Sequence, residues 1–224
     1  MSENQQTIKK EVSIKGVGLH TGNKVNIKFK PAAINSGINF IRVDLPNKPI
    51  IKAEIVNLLD FNRSPRRTSI FVGDCEVHTI EHLMAVFSGR SIDNIIVEID
   101  NNEVPGLDGS GATFLDILTH AGIEEQNATR KYFLIKEPIW SEEEGATLVI
   151  VPAQDFRISY TLSYNHCLLG DQYFDSIVNY DIFKADIASA RTFCLEDESE
   201  GLRAQGLGRG ANYENTLVVG KKEI

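Results

Sequence analysis

The segment His78-Thr79-Ile80-Glu81-His82 sets two imidazoles and a carboxylate close together. A carboxylate beside a metal-capable imidazole suits hydrolysis: a bound metal lowers the pKa of a water, and the carboxylate takes its proton. The residues that follow must aim these groups. Ile80, Leu83, Met84 and Phe87 recur at the i, i+3, i+4, i+7 spacing of one helix face. A helix is therefore predicted from Thr79 to near Ser88-Gly89, with Gly89 as its C-cap. On its wheel His78, His82 and Ala85 lie opposite the apolar stripe and Glu81 lies to one side. Such a helix buries one face in its own core and turns imidazole and carboxylate to a second surface. Read literally, H-x-x-E-H is the inverzincin metallopeptidase pattern, with both histidines on zinc and the glutamate as base. That reading needs a third ligand, for which Glu196 and Glu198 are available.

Around this segment the periodicity alternates between strand and helix. Val12 and Ile14, then Val25, Ile27 and Phe29, alternate with polar residues as in a half-buried sheet. Between them lies Gly16-Val17-Gly18-Leu19-His20-Thr21-Gly22, a hairpin loop or a close approach to a ligand. Further strands are expected near Ile38–Val43, Ile50–Ile55, Ser69–Val77 and Ile92–Ile99, and a second helix over Ala112–Ala121. Asp108 or Ser110 can cap that helix, and His120 suits its C-terminal dipole. The basic run Arg63-Ser64-Pro65-Arg66-Arg67-Thr68 is a solvated loop, with a phosphate contact as the sharper alternative.

Residues 1–6 read as a frayed polar leader, and Gln126-Asn127-Ala128-Thr129 as a polar break. The break divides the chain into a first domain, 1–127, and a second, 128–224. The second holds strands near Tyr132–Trp140, Ala146–Val151, Phe156–Tyr164 and Gln172–Val178. Helices over Ile182–Ser189 and Glu196–Gln205, a glycine loop at 206–210 and a strand at Thr216–Val219 complete it. Strands followed by helices in each half make the fold class α+β. The second half has no counterpart of the helix carrying Glu81, so it is expected to be incomplete, cut short before its last helix.

Composition excludes several classes. Apolar residues at 42% and charged residues at 24% describe a soluble globular protein with a real core. The net charge of −8 argues against a general nucleic-acid or anionic-membrane binder. No apolar run approaches a membrane span, and the polar N-terminus is unlike a signal peptide. Cys75, Cys167 and Cys194 are widely spaced, as reduced thiols of a cytoplasmic protein are.

Five motifs in order then carry a resemblance. They are Gly16-Val17-Gly18-Leu19-His20-Thr21-Gly22, Thr79-Ile80-Glu81-His82-Leu83, Ile92-Asp93-Asn94, Glu103-Val104-Pro105-Gly106-Leu107-Asp108-Gly109-Ser110 and Ala190-Arg191-Thr192-Phe193. Together the chain resembles the UDP-3-O-acyl-N-acetylglucosamine deacetylases, zinc hydrolases of bacterial lipid A synthesis, from about residue 7 to 220. The resemblance implies two similar α+β domains whose helices are sandwiched between two sheets, with the active site at their junction. It implies a zinc ligand in His82, a general base in Glu81 and an oxyanion-holding hydroxyl in Thr192. Phe193 and the loop around Gly208 would line the acyl passage, and Tyr164 would meet the uridine. His20 and Asp108 match positions linked to activity, and for Asp108 the capping role stands beside that one. The metal implied is zinc, although imidazole with carboxylate also suits Fe2+.

One departure matters. The family completes its zinc site with a later His-Lys-x-x-Asp-x-x-Gly-Asp segment and a further histidine, whereas no histidine follows His166. The resemblance therefore implies the deacetylase family, with turnover by this chain alone expected to be absent or very weak. The competing expectations are the H-x-x-E-H peptidase and a nucleotide-sugar or acyl binder without catalysis.

Overall fold

The computed structural model describes residues 3–143 and 145–224. The centre of the first half is a five-stranded sheet in the order β2-β3-β8-β4-β5. Its strands are β2 (Val12–Val17), β3 (Lys24–Pro31), β4 (Ile38–Arg42), β5 (Ile50–Lys52) and β8 (Ile95–Ile99). β4 and β8 run parallel, and the remaining neighbours run antiparallel. Alternation drives the layering. Val25, Ile27 and Phe29 of β3 are buried while Asn26 and Lys28 between them are exposed. Across the ladder Phe29 faces Val97, and Val97 faces Phe40, giving one apolar row through the sheet.

Two helices cover that row, α1 (Glu81–Gly89) and α2 (Ala112–Ala121). The Phe29 ring meets Phe87 of α1 at 6.2 Å and Phe114 of α2 at 6.5 Å, both edge to face. Each such aromatic pair is worth about 1 kcal/mol beyond its buried area. Leu83, Val86, Leu115 and Leu118 complete the layer.

Four expectations need correction here. The polar leader is a strand, β1 (Asn4–Ile8), paired with β9 (Ile123–Thr129), which also fills the supposed polar break. Its polar residues are ordered because they are satisfied inside: Asn94 Nδ2 donates to both Gln5 Oε1 and Gln126 Oε1 at 2.8 Å. The run Ser69–Val77 is not one strand but a hairpin, β6 (Ser69–Val72) and β7 (Cys75–His78), turned at Gly73 with φ +56°. β5 stops at Lys52, and a 3-10 turn follows at Ile55–Asn57. Gly89 is not the left-handed cap of α1, since Ser91 takes φ +60° instead. Gly89 is needed for space, because a Cβ there would lie 2.3 Å from the Phe183 ring.

The second half contains the hairpins β10 (Ile139–Glu143) with β11 (Ala146–Ile150) and β12 (Arg157–Ser163) with β13 (Asp171–Ile177). The strand expected from Tyr132 begins only at Ile139. Trp140 and Leu148 of the first hairpin are exposed. The expected helix over Ile182–Ser189 is a short α3 (Tyr180–Ile182) running into a π-helical turn, Phe183–Ile187. Then come β14 (Phe193–Leu195), α4 (Glu196–Ala204) and β15 (Leu217–Val219), with β14 parallel to β15. The whole is mixed α+β, as read from the sequence.

Candidate active site

Glu81 opens α1, and its carboxylate is held from outside the helix. The Thr68 backbone N–H donates to Glu81 Oε2 at 3.0 Å, and Ile80 N–H donates back to the Thr68 carbonyl at 3.1 Å. The end of the basic loop is thus stitched to the helix start. The loop is not merely solvated: Arg66 reaches Glu198 of α4 at 2.8 Å, and Arg63 reaches Glu76 at 2.7 Å.

From the other side, loops of the second half pair with the glycine loop. Arg209 N–H donates to the His20 carbonyl at 3.1 Å and Gly210 N–H to that of Leu19 at 3.0 Å. Thr192 is pinned by its backbone, donating to Gly109 O at 2.8 Å and accepting from Leu217 N at 3.0 Å. No hydrogen bond of its hydroxyl is formed with the described residues, which leaves that group for a ligand. The Phe193 and Tyr164 rings meet edge to face at 5.8 Å.

These elements enclose a cavity of about 660 Å³. His20, Glu81, His82, Tyr164, Thr192, Phe193 and Gly208 all line it, beside Arg66, Arg191 and Arg203. That volume fits the range of small-molecule sites. Asp108 is not in the lining. It accepts from the Ser110 hydroxyl at 2.9 Å, and Ser110 Oγ in turn accepts from Ala112 N at 3.1 Å. So Ser110 satisfies the start of α2 and Asp108 braces Ser110. The Asp108 carbonyl also takes Arg191 Nε at 2.9 Å, tying the Thr192 segment to this turn.

His78 is absent from the lining too, and it does not stand on the helix. It ends β7 and is 6% exposed. Its Nδ1 meets Ser69 Oγ at 2.9 Å, and its Nε2 lies 3.3 Å from Glu76. Burial above all, with Arg67 next, pushes its pKa down to about 4, so it is neutral at neutral pH. The peptidase pattern requires both histidines on one helical face, and this chain does not build it. Burial likewise lowers the His20 pKa, with Glu103 pulling upward and Arg67 and Arg66 downward.

Two residues were missed by pattern alone. Glu103 is a buried carboxylate, 1% exposed, and Thr79 is a β-branched residue at φ +59°. Only the place of Glu103 at the head of its motif hinted at the first.

The family model for UDP-3-O-acyl N-acetylglycosamine deacetylase (LpxC) matches residues 5–224. The chain belongs to the LpxC deacetylase family. Among LpxC relatives, the UDP-3-O-acyl-N-acetylglucosamine deacetylase of Saccharophagus degradans is 37% identical, covering 98% of this chain and 72% of the relative. That of Teredinibacter turnerae is 38% identical with the same coverage, 98% and 72%. The bifunctional enzyme LpxC/FabZ of Chlorobaculum tepidum is 36% identical over 98% of this chain and 47% of its own length. Membership makes the chain an amide hydrolase by family.

The zinc implied for LpxC proteins can be compared with the donors present. A catalytic zinc commonly takes three protein ligands and a water. Among the described residues no three His, Cys, Asp or Glu side chains are grouped to hold a metal ion. The described donors around His82 therefore do not make a full zinc site.

Proposed function

We propose that the cavity of this chain serves hydrolysis of the N-acetyl amide of a UDP-3-O-acyl-N-acetylglucosamine, releasing acetate, as a step of lipid A biosynthesis, with turnover by this chain alone absent or very weak. The observation that supports this is convergence: Glu81, His82 and Thr192 meet the Tyr164–Phe193 aromatic pair in one cavity. In this reading Glu81 is the general base. Thr68 N–H fixes its Oε2 and leaves Oε1 to take a proton from the attacking water. The Thr192 hydroxyl donates to the oxygen that gains charge as the carbonyl is attacked. Phe193 and the Gly208 loop contact the acyl chain, Tyr164 the uridine, and His20 borders the reacting groups. His82 is the proposed contribution to zinc, or Fe2+, and no step is derived through the metal because the described donor set is incomplete. The reading keeps two α+β units, 1–127 and 128–224, both contributing to the cavity. The cytoplasm is the proposed compartment, which the free thiols Cys75, Cys167 and Cys194 suit. No helix among the described residues is long and apolar enough to cross a membrane.

The test is acetate release at saturating zinc. Whatever rate the chain sustains falls by about 100-fold or more in Glu81→Gln, the usual share of general base catalysis. A measurable native rate that Glu81→Gln leaves unchanged would remove Glu81 from the chemistry.

A further inference from the structure

Glu103 touches neither Glu81 nor His82 through any hydrogen bond, yet it grips both segments that border them. Its Oε1 accepts from His20 N at 2.8 Å and from the Thr79 hydroxyl at 2.8 Å. Its Oε2 accepts from Thr21 N at 2.7 Å and the Thr21 hydroxyl at 2.6 Å. No cation lies within ion-pair distance of it among the described residues; four donors alone satisfy the charge. Burial pushes its pKa up, but these donors outweigh that and hold it below the ordinary carboxylate range. Gly18 completes the cradle, since a Cβ there would lie 2.3 Å from Glu103 Oε2.

The Thr79 contact is the informative one. Thr79 lies between the end of β7 at His78 and the start of α1 at Glu81. Its φ of +59° is a conformation that β-branched residues strongly resist. Strain of this kind persists only where the surroundings over-determine it, and it gathers at functional sites. Here the turn sends the chain from strand into helix within two residues. The backbone on either side is fixed: before it His78 N–H donates to Asn102 O at 2.8 Å and Val104 N–H to His78 O at 3.1 Å, and after it Ile80 N–H donates to Thr68 O at 3.1 Å. Among the described residues, the Thr79 hydroxyl on Glu103 is the one side-chain hydrogen bond at this residue.

We propose that Glu103 is a positioning residue of the site: it holds Thr79 in its left-handed conformation, ties it to the His20 loop, and thereby sets where Glu81 and His82 point. This rests on the reading of Glu81 and His82 as the reacting groups, but its test needs neither turnover nor metal.

Three variants of the full chain separate positioning from general stability. Thr79→Val keeps the β-branch and its aversion to the left-handed region but removes the donor to Glu103. Thr79→Gly removes the donor and the aversion together. Glu103→Gln weakens the acceptor. The readout is the imidazole 1H–15N correlations of His82 and His20 in 15N-histidine-labelled protein, with the melting temperature beside it. The His82 signals move in Thr79→Val and in Glu103→Gln, and return close to their native positions in Thr79→Gly, although glycine lowers the melting temperature. If valine and glycine displace His82 alike, or neither does, Thr79 does not carry the effect and the proposal falls. Should Glu103→Gln fail to fold, the valine–glycine contrast decides alone. The acetate-release comparison with Glu81→Gln is independent, so its failure would remove the catalytic reading while leaving the positioning of α1 intact.

Discussion

Thr68 N–H donates to Glu81 Oε2 at 3.0 Å, and Ile80, the residue before Glu81, returns a bond from its N–H to Thr68 O at 3.1 Å. The rotamer of the proposed base is therefore set by a loop lying outside its own helix. That loop is anchored in turn by a buried polar chain. Arg67 Nε donates to Ser64 Oγ at 3.2 Å, Ser64 Oγ meets Ser69 Oγ at 2.5 Å, and Ser69 Oγ meets His78 Nδ1 at 2.9 Å.

Ser69 is the central link of that chain and is 1% exposed. Ser69→Ala strands the Ser64 hydroxyl and His78 Nδ1 without this partner. Leaving buried groups unsatisfied costs about 1–3 kcal/mol. Urea unfolding is expected to register about 2 kcal/mol of lost stability. A loss within the ordinary surface range of about 0.5 kcal/mol would show that the network is not holding the loop.

His78 gives stability a pH dependence of known sign. Its folded pKa is about 4 against an ordinary 6.5, chiefly through burial. Between those values the unfolded chain binds the proton and the folded chain does not. The contribution is therefore complete above about pH 6.5 and is lost as pH falls toward 4. The full span is roughly 3 kcal/mol. In His78→Asn the unfolding free energy should be lower at pH 7 but fall less steeply between pH 6.5 and 4. A slope equal to that of the native chain would assign the acid sensitivity elsewhere.

The metal prediction follows from donor number. With no three ligand-type side chains grouped among the described residues, dialysis against a weak chelator is expected to leave far less than one zinc per chain. His82→Ala should weaken even the residual affinity, and His78→Ala should not. Tight stoichiometric zinc, measured by metal analysis, would mean that the chain assembles a ligand set not apparent in these donors.

Much of the sheet was legible because burial alternates along it, as with Val25, Ile27 and Phe29. α2 was expected from Ala112 to about Ala121 and runs Ala112–Ala121, its four buried apolar residues keeping helical spacing. The errors have particular causes. The β6–β7 hairpin read as one strand because its turn is only Gly73-Asp74 between two apolar runs. β1 read as frayed because its buried residues include Gln5 and Thr7, whose partners Asn35, Asn94 and Ala32 are remote in sequence. His78 was given to a helix face because the wheel cannot tell that the left-handed Thr79 ends the strand first. For the site, spacing suggested Glu81 and His82, together with His78, which the structure places outside it. Thr192, Phe193, Tyr164 and Gly208 entered through resemblance, and the structure groups them by loop pairing that no local pattern encodes. Glu103 stayed hidden because its four donors come from two other segments.

The central claim is that this cavity takes the acylated nucleotide sugar. Calorimetric titration of UDP-3-O-acyl-N-acetylglucosamine into the native chain, Phe193→Ala and Glu81→Gln tests it most directly. One saturable site is predicted in the native chain. Removing the Phe193 ring should weaken binding by about tenfold or more, in line with about 1.5–3 kcal/mol for burying such a side chain. Glu81→Gln should bind within about twofold of native, because the base acts on water rather than on ground-state affinity. Absence of saturable binding, or binding indifferent to Phe193, would contradict the account.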